Sequence, residues 1–235
     1  MLTQTAGRSQ PIRHPVVPTG NEASLAPRTA TGTDQLAQQI ELMGATMSFP
    51  RNAEIFGENE PADYLYKVVS GAVRTYKILS DGRRQIGGFY LPGDIFGLEF
   101  ADEHLLTAEA ITNVKVLVIK RNALSALADC DAGAARELYA LTAHELRRAQ
   151  TSILLLVKSA QERVASFLLE MAERAAAGNA IELPMSRQDI ADYLGLTIET
   201  VSRTLTALET RAAIDVPTSR RIVLRNRGAL SRLNG

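Results

Sequence analysis

The sequence has one cysteine, Cys130, among its 235 residues. It therefore cannot form an intrachain disulfide, and it cannot build a zinc or iron–sulfur site from several thiolates. Such cysteine usage fits a reducing cytoplasm. Histidine is scarce too: His14, His104 and His144 are the only three. A metal site of the cupin kind, which a glycine-rich roll could house, needs histidines and carboxylates clustered together. These three fall in an N-terminal tail, a roll loop and a long helix, so each reads as a solvated polar residue, and no metal or cofactor is expected. No run of about 18 apolar residues exists, so no membrane span is expected. The N-terminus lacks the basic-then-apolar pattern of a secretion signal, and the expected location is cytoplasmic.

Net charge is also missing, since 26 Lys and Arg balance 26 Asp and Glu. No global field draws nucleic acid to the chain, and any DNA binding must come from a local basic surface. The C-terminal stretch supplies one: Arg203, Arg211, Arg220, Arg221, Arg225, Arg227 and Arg232 face only Glu209 and Asp215.

The length allows two small domains, each with its own core. Residues 1–33 are rich in Thr, Pro, Gly, Ser and Ala and read as a mobile tail, because they carry too little apolar surface to order themselves. Residues 34–126 read as a β-roll. Short apolar runs such as 64–69 alternate with turn signals at Ser70-Gly71, Asp81-Gly82 and Pro92-Gly93-Asp94, as in an antiparallel roll or barrel. Residues 127–158 take on helical periodicity. Tyr139, Leu146 and Ile153 recur every seven residues with Thr142, Ala149 and Leu156 between them, forming an a/d seam. That seam packs either on the chain's own roll or, as preferred, on a second copy in a two-fold homodimer. Residues 159–235 begin with a capping box, Ser159 and Glu162, followed by the core stripe Val164, Phe167, Leu168 and Met171. The expected fold class is α+β: an antiparallel β-roll, a long dimerisation helix and a C-terminal winged helix-turn-helix.

The helix-turn-helix is the most informative segment. Ser186 with Asp189 caps a short helix that ends at Leu194, Gly195 makes the turn in a left-handed conformation, and Thr197 caps a second helix. Ile190, Leu194, Leu196, Val201, Leu205 and Leu208 have the spacing of two crossed helices packed on a third. The second helix then exposes Ile198, Glu199, Ser202 and Arg203 at its start, where recognition helices reach base edges. Arg offers a fork to guanine O6 and N7, Glu accepts from cytosine N4, Ser bonds either way, and Ile198 suits thymine methyls. A plainer alternative is that Glu199 and Arg203 form only a surface i,i+4 ion pair. Ser186, Arg187, Gln188, Thr197 and Thr200 lie near helix N-termini, where phosphates are favoured. A hairpin follows, from Ala213-Ile-Asp-Val through Pro217-Thr-Ser-Arg-Arg to Ile222-Val-Leu-Arg. It forms a wing with Arg220 and Arg221 at the tip, facing backbone phosphate. Double-stranded DNA is the expected partner.

These motifs closely resemble the Crp/Fnr family of bacterial regulators over nearly everything after residue 40. The resemblance rests on Val69-Ser-Gly71, Leu91-Pro-Gly-Asp-Ile-Phe-Gly97, the long helix, and Leu196-Thr-Ile-Glu-Thr-Val-Ser-Arg203. It implies an Fnr-like recognition helix and a TTGAT–N4–ATCAA-type palindrome. Ile198 stands where Crp-type readers carry Arg. The absence of N-terminal cysteines resembles the FixK branch, which acts in nitrogen fixation and low-oxygen respiration. The resemblance also implies an activator that contacts RNA polymerase, with the loops Ser80 to Arg84 and Asp102 to His104 as candidate contacts. A cyclic-nucleotide-responsive regulator is the alternative. Against it, Leu98 follows Gly97 with Glu99 one place late, Leu106-Thr107 replace an Arg-Ser pair, and Arg148 and Ala149 replace purine-contacting hydroxyls. Losing that Arg removes the charge-assisted phosphate contact, so no small-molecule effector is expected. Cys130 reads as a small buried thiol rather than a redox switch. Ser186, standing where a thiol would be activated by the helix dipole, excludes such a switch at that position.

Overall fold

The structure is a computed structural model that describes residues 40–99, 101–155, 157–174 and 178–234. The tail expected at 1–33 and Leu156 lie outside the described residues. Alternating apolar and polar positions give eight strands: β1 (Ala45–Phe49), β2 (Glu54–Phe56), β3 (Tyr64–Ser70), β4 (Val73–Ile78), β5 (Arg84–Tyr90), β6 (Ile95–Phe96), β7 (Thr107–Ala110) and β8 (Val114–Lys120). They form two four-stranded antiparallel sheets, ordered β1-β8-β3-β6 and β2-β7-β4-β5. Inward residues of both sheets, including Phe56, Tyr66, Val68, Val73, Phe96 and Val116, bury one roll core. Gly71 turns β3 into β4 at φ +86°, and a Cβ there would lie 2.3 Å from the Asn113 carbonyl oxygen, so only glycine fits.

After the roll come α1 (Arg121–Cys130) and α2 (Ala132–Leu155). The helical segment expected at 127–158 is thus divided at Asp131. Its backbone is extended at φ −129°, ψ 106°, and its carboxylate accepts the N–H of Gly133 at 2.7 Å and of Ala134 at 3.3 Å. Asp131 therefore stops one helix and caps the next. Cys130 corrects the sequence reading, being exposed where a buried thiol was expected.

The C-terminal part contains α3 (Ala160–Arg174), β9 (Ala180–Glu182), α4 (Arg187–Leu194), α5 (Ile198–Thr210), β10 (Ile214–Asp215), β11 (Arg221–Leu224) and α6 (Arg227–Asn234). The Ser159–Glu162 capping box forms as expected: the Ser159 N–H donates to Glu162 Oε2 at 2.6 Å, and the Glu162 N–H to Ser159 Oγ at 3.4 Å. The wing has three strands, ordered β10-β11-β9, rather than a bare hairpin. The sequence reading did not anticipate β9 or α6. Asn226 Oδ1 caps α6 by accepting the Ala229 N–H at 2.9 Å, and Leu230 on that helix is completely buried.

The helix-turn-helix packs on the roll of its own chain. One continuous core joins Ala72, Ile86, Phe89 and Ile111 of the roll to Phe167, Met171, Leu194 and Leu205 of the C-terminal helices. Phe89 meets Phe167 edge-on at 6.2 Å and Tyr193 at 5.3 Å between ring centroids. Such aromatic pairs add about 0.5–1.5 kcal/mol beyond the area they bury.

Candidate nucleic-acid interface

The interface is built by local side-chain to backbone bonds. Ser186 Oγ accepts the Asp189 N–H at 3.0 Å, and Asp189 Oδ2 accepts the Ser186 N–H at 2.9 Å, closing the capping box that starts α4. Gly195 ends α4 at φ 63°, ψ 40°. Thr197 Oγ1 accepts the Thr200 N–H at 3.2 Å and starts α5. Ile190, Leu194, Val201, Leu205 and Leu208 are buried, so the opposite face of α5 must look outward.

That outward face carries Ile198, Glu199 and Arg203 exposed and Ser202 half-buried. Among the described residues, the side chains of Glu199 and Arg203 make no ion pair or hydrogen bond, with each other or with any neighbour. The surface-pair alternative is therefore not what the structure shows, and both groups keep their full bonding capacity for a ligand. The expected phosphate contacts are a mixed set. Ser186, Gln188 and Thr197 are exposed, while Arg187 and Thr200 are half-buried. Gln188 donates to Asp192 Oδ1 at 2.6 Å, and Thr197 and Thr200 share a hydroxyl contact at 3.0 Å. Arg220 is exposed at the wing tip. Arg221 instead begins β11, opposite Glu182, with Nε 3.6 Å from its carboxylate.

Behind this face lies an ion network that the sequence reading missed. Asp189 Oδ1 accepts Arg74 Nη1 at 3.0 Å from β4 and Arg84 Nη2 at 2.7 Å from β5. Arg74 also reaches Glu109 at 2.6 Å, and Arg84 reaches Asp192 at 2.7 Å. Burial works against the Arg84 charge, but the carboxylates of Asp192 and Asp189 outweigh it and raise its pKa. A second tie uses the Phe89 carbonyl, which accepts Arg148 Nη2 from α2 at 3.1 Å and Arg174 Nη2 from α3 at 2.8 Å. Arg174 also pairs with Asp94. The signal in the sequence was slight: an arginine in each of two roll strands, with nothing to say which carboxylate each would meet.

Leu106 Cδ1 lies 2.7 Å from where a Cβ on Gly87 would sit, so it fills the space over β5. Thr107 Oγ1 accepts the Glu58 N–H at 3.1 Å. Arg148 is held by Glu145 at 2.8 Å and lies over the Tyr90 ring at 4.9 Å. Burial, followed by the Glu145 charge, pushes the Tyr90 phenol up to about 12. His104 is a further correction. It is 1 % exposed rather than solvated, stacked on Phe56 at 3.5 Å between centroids, with Nδ1 3.4 Å from Glu99. Its imidazole is thus withdrawn from the 102–104 loop surface, which leaves Asp102 and Glu103 exposed there. Arg84 is likewise withdrawn from the 80–84 turn by its carboxylates, while Arg83 stays exposed.

The a/d seam of α2 is bare. Tyr139 is 76 %, Leu146 59 % and Ile153 64 % exposed. Ala149 is exposed, and Thr142 is turned back onto the Leu138 carbonyl at 2.9 Å. Among the described residues the seam is left largely exposed rather than buried against the chain's own roll.

A two-sheet roll, a long helix and a winged helix-turn-helix together define a class of two-domain transcription regulators. Comparison with known proteins agrees. Residues 46–131 match the cyclic nucleotide-binding domain and residues 162–233 the Crp-like helix-turn-helix domain. The chain is 51 % identical over 204 residues to the nitrogen fixation regulation protein FixK of Azorhizobium caulinodans, covering 84 % of this chain and 82 % of that one. It is 42 % identical to FixK of Rhizobium meliloti, covering 83 % and 93 %. A solved structure of FixK2 from Bradyrhizobium japonicum matches with a TM-score of 0.79 and 54 % identity, covering 82 % of this chain and 98 % of that one. The chain belongs to the Crp/Fnr family of DNA-binding transcription regulators, in its FixK group. Among the described residues no helix is long and apolar enough to cross a membrane.

Proposed function

We propose that this regulator binds DNA as a homodimer and recognises a TTGAT–N4–ATCAA-like palindrome. In this reading it activates genes of nitrogen fixation or low-oxygen metabolism by contacting RNA polymerase. The observation that carries the reading is the outward start of α5, where Glu199 and Arg203 stand one turn apart with their side chains uncommitted. Arg203 reads guanine, Glu199 the paired cytosine, and Ile198 a thymine methyl, with Ser202 bonding beside them. Ser186, Arg187, Gln188, Thr197, Thr200, Arg220 and Arg221 set register on the backbone. Two copies pair through Tyr139, Thr142, Leu146, Ala149, Ile153 and Leu156, which sets the two recognition helices about one DNA turn apart. Nitrogen fixation is the process named for the FixK relatives.

The protein acts in this reading without a small-molecule effector. Leu106 over Gly87 and the engagement of Arg148 by Glu145 and Phe89 support that. The decisive experiment is selection of bound sites from a random DNA pool with no effector added. Enrichment of the palindrome supports the reading, and an unrelated motif or no enrichment refutes it. Calorimetric titration with cyclic AMP and cyclic GMP tests the effector-free part: saturable binding would favour a nucleotide-responsive regulator.

A further inference from the structure

We propose that a pocket at the seam between the roll and the helix-turn-helix binds a phosphate-type oxyanion. The pocket encloses about 250 Å³, and its wall includes Arg51, Arg74, Arg84, Ser186, Asp189 and Arg220. This deepens the DNA-binding reading, which draws no contact from the roll.

The argument is an account of charge and hydrogen bonds. Four guanidinium groups meet one carboxylate in this wall. Asp189 has no capacity left: Oδ1 accepts Arg74 at 3.0 Å and Arg84 at 2.7 Å, and Oδ2 accepts the Ser186 N–H at 2.9 Å and hydroxyl at 2.8 Å. Glu109 and Asp192 complete the pairing of Arg74 and Arg84 from outside the pocket. Arg51 and Arg220 remain, and their guanidiniums have no partner among the described residues.

Arg51 and Arg220 are exposed, so water solvates them but supplies no counter-charge. A group that only accepts, carries negative charge and has oxygens pointing in several directions can pair with both. That group is a tetrahedral oxyanion, and the site adjoins Ser186 at the start of α4, where a helix favours one. The backbone at Arg51 is set in place by the fold: the Arg51 N–H donates to Asn113 Oδ1 at 3.1 Å, and the next residue, Asn52, donates its N–H to the Ala110 carbonyl at 2.8 Å. The phosphate comes either from the DNA backbone beside the wing or from a free phosphorylated molecule.

Two measurements on the full-length chain, wild type against Arg51→Gln, decide the matter. The first titrates inorganic phosphate calorimetrically in a buffer without other oxyanions. The second measures duplex DNA affinity across a salt series. If the occupant is a DNA phosphodiester, Arg51→Gln lowers the salt slope by about one. If it is a free phosphorylated molecule, the slope is unchanged, and wild type takes up about one phosphate per chain at least tenfold more tightly than the variant. If neither slope nor phosphate binding responds to Arg51→Gln, the proposal is overturned. Arg203→Ala, measured in the same DNA titrations, tests base reading separately, so failure of this site and failure of the DNA-reading face are told apart.

Discussion

Arg84, at the start of β5, donates to Asp189 of α4 at 2.7 Å. The same carboxylate closes the cap on that helix, so a single side chain both starts the helix-turn-helix and fastens it to the roll. Asp189 is almost fully buried, which strengthens each bond and raises the cost of breaking it.

Asp189→Asn should therefore lower unfolding stability by about 3 kcal/mol, since it strips the buried arginines of their shared counter-charge. A urea titration followed by both circular dichroism and tyrosine fluorescence checks this. An unchanged midpoint would show that Asp189 is not the hub.

Arg203→Ala should cost about 1–3 kcal/mol of binding to the palindrome and relax discrimination at one base pair per half-site. Binding measured against every substitution at each half-site position is the test. An equal loss on all sequences would make Arg203 a phosphate contact instead.

The two wing arginines should differ. Arg220→Ala should weaken binding uniformly across sequences and reduce the salt slope by about one. Arg221→Ala should do less, because Glu182 stands opposite Arg221 and already offsets part of its charge. Salt-dependent titrations of both variants decide it, and equal effects would refute the distinction.

Leu146→Lys with Ile153→Lys should dissociate the dimer. Charges placed on a seam that two copies bury must be desolvated without partners, whereas on a solvated helix face they cost little. Sedimentation at micromolar concentration should show monomers that occupy half-sites only weakly. A persistent dimer would place the pairing surface elsewhere.

The helix-turn-helix was legible because its signals are local. Ser186 and Thr197 each bond a backbone N–H three residues on, and Gly195 needs no tertiary partner to adopt its turn. The roll was legible from alternation and glycine spacing. β9 was not, because three residues carry no period, and neither was α6, whose cap and buried Leu230 matter only once α3 is there to cover them. Cys130 and His104 were misjudged because burial belongs to the assembled fold. His104 sits in a loop by sequence, yet it is stacked on Phe56.

By itself, then, the sequence determined the strands of the roll and the two helices of the helix-turn-helix, where the recognition helix starts, and which four residues stand at its start. Those properties follow from hydrogen bonds and periodicities that span a few residues. The tertiary structure alone decided that Arg74 and Arg84 grip Asp189 from 115 and 105 residues away, and that Arg148 and Arg174 share one carbonyl. Each of these depends on how two domains meet, and no local spacing encodes the distance between side chains on different elements.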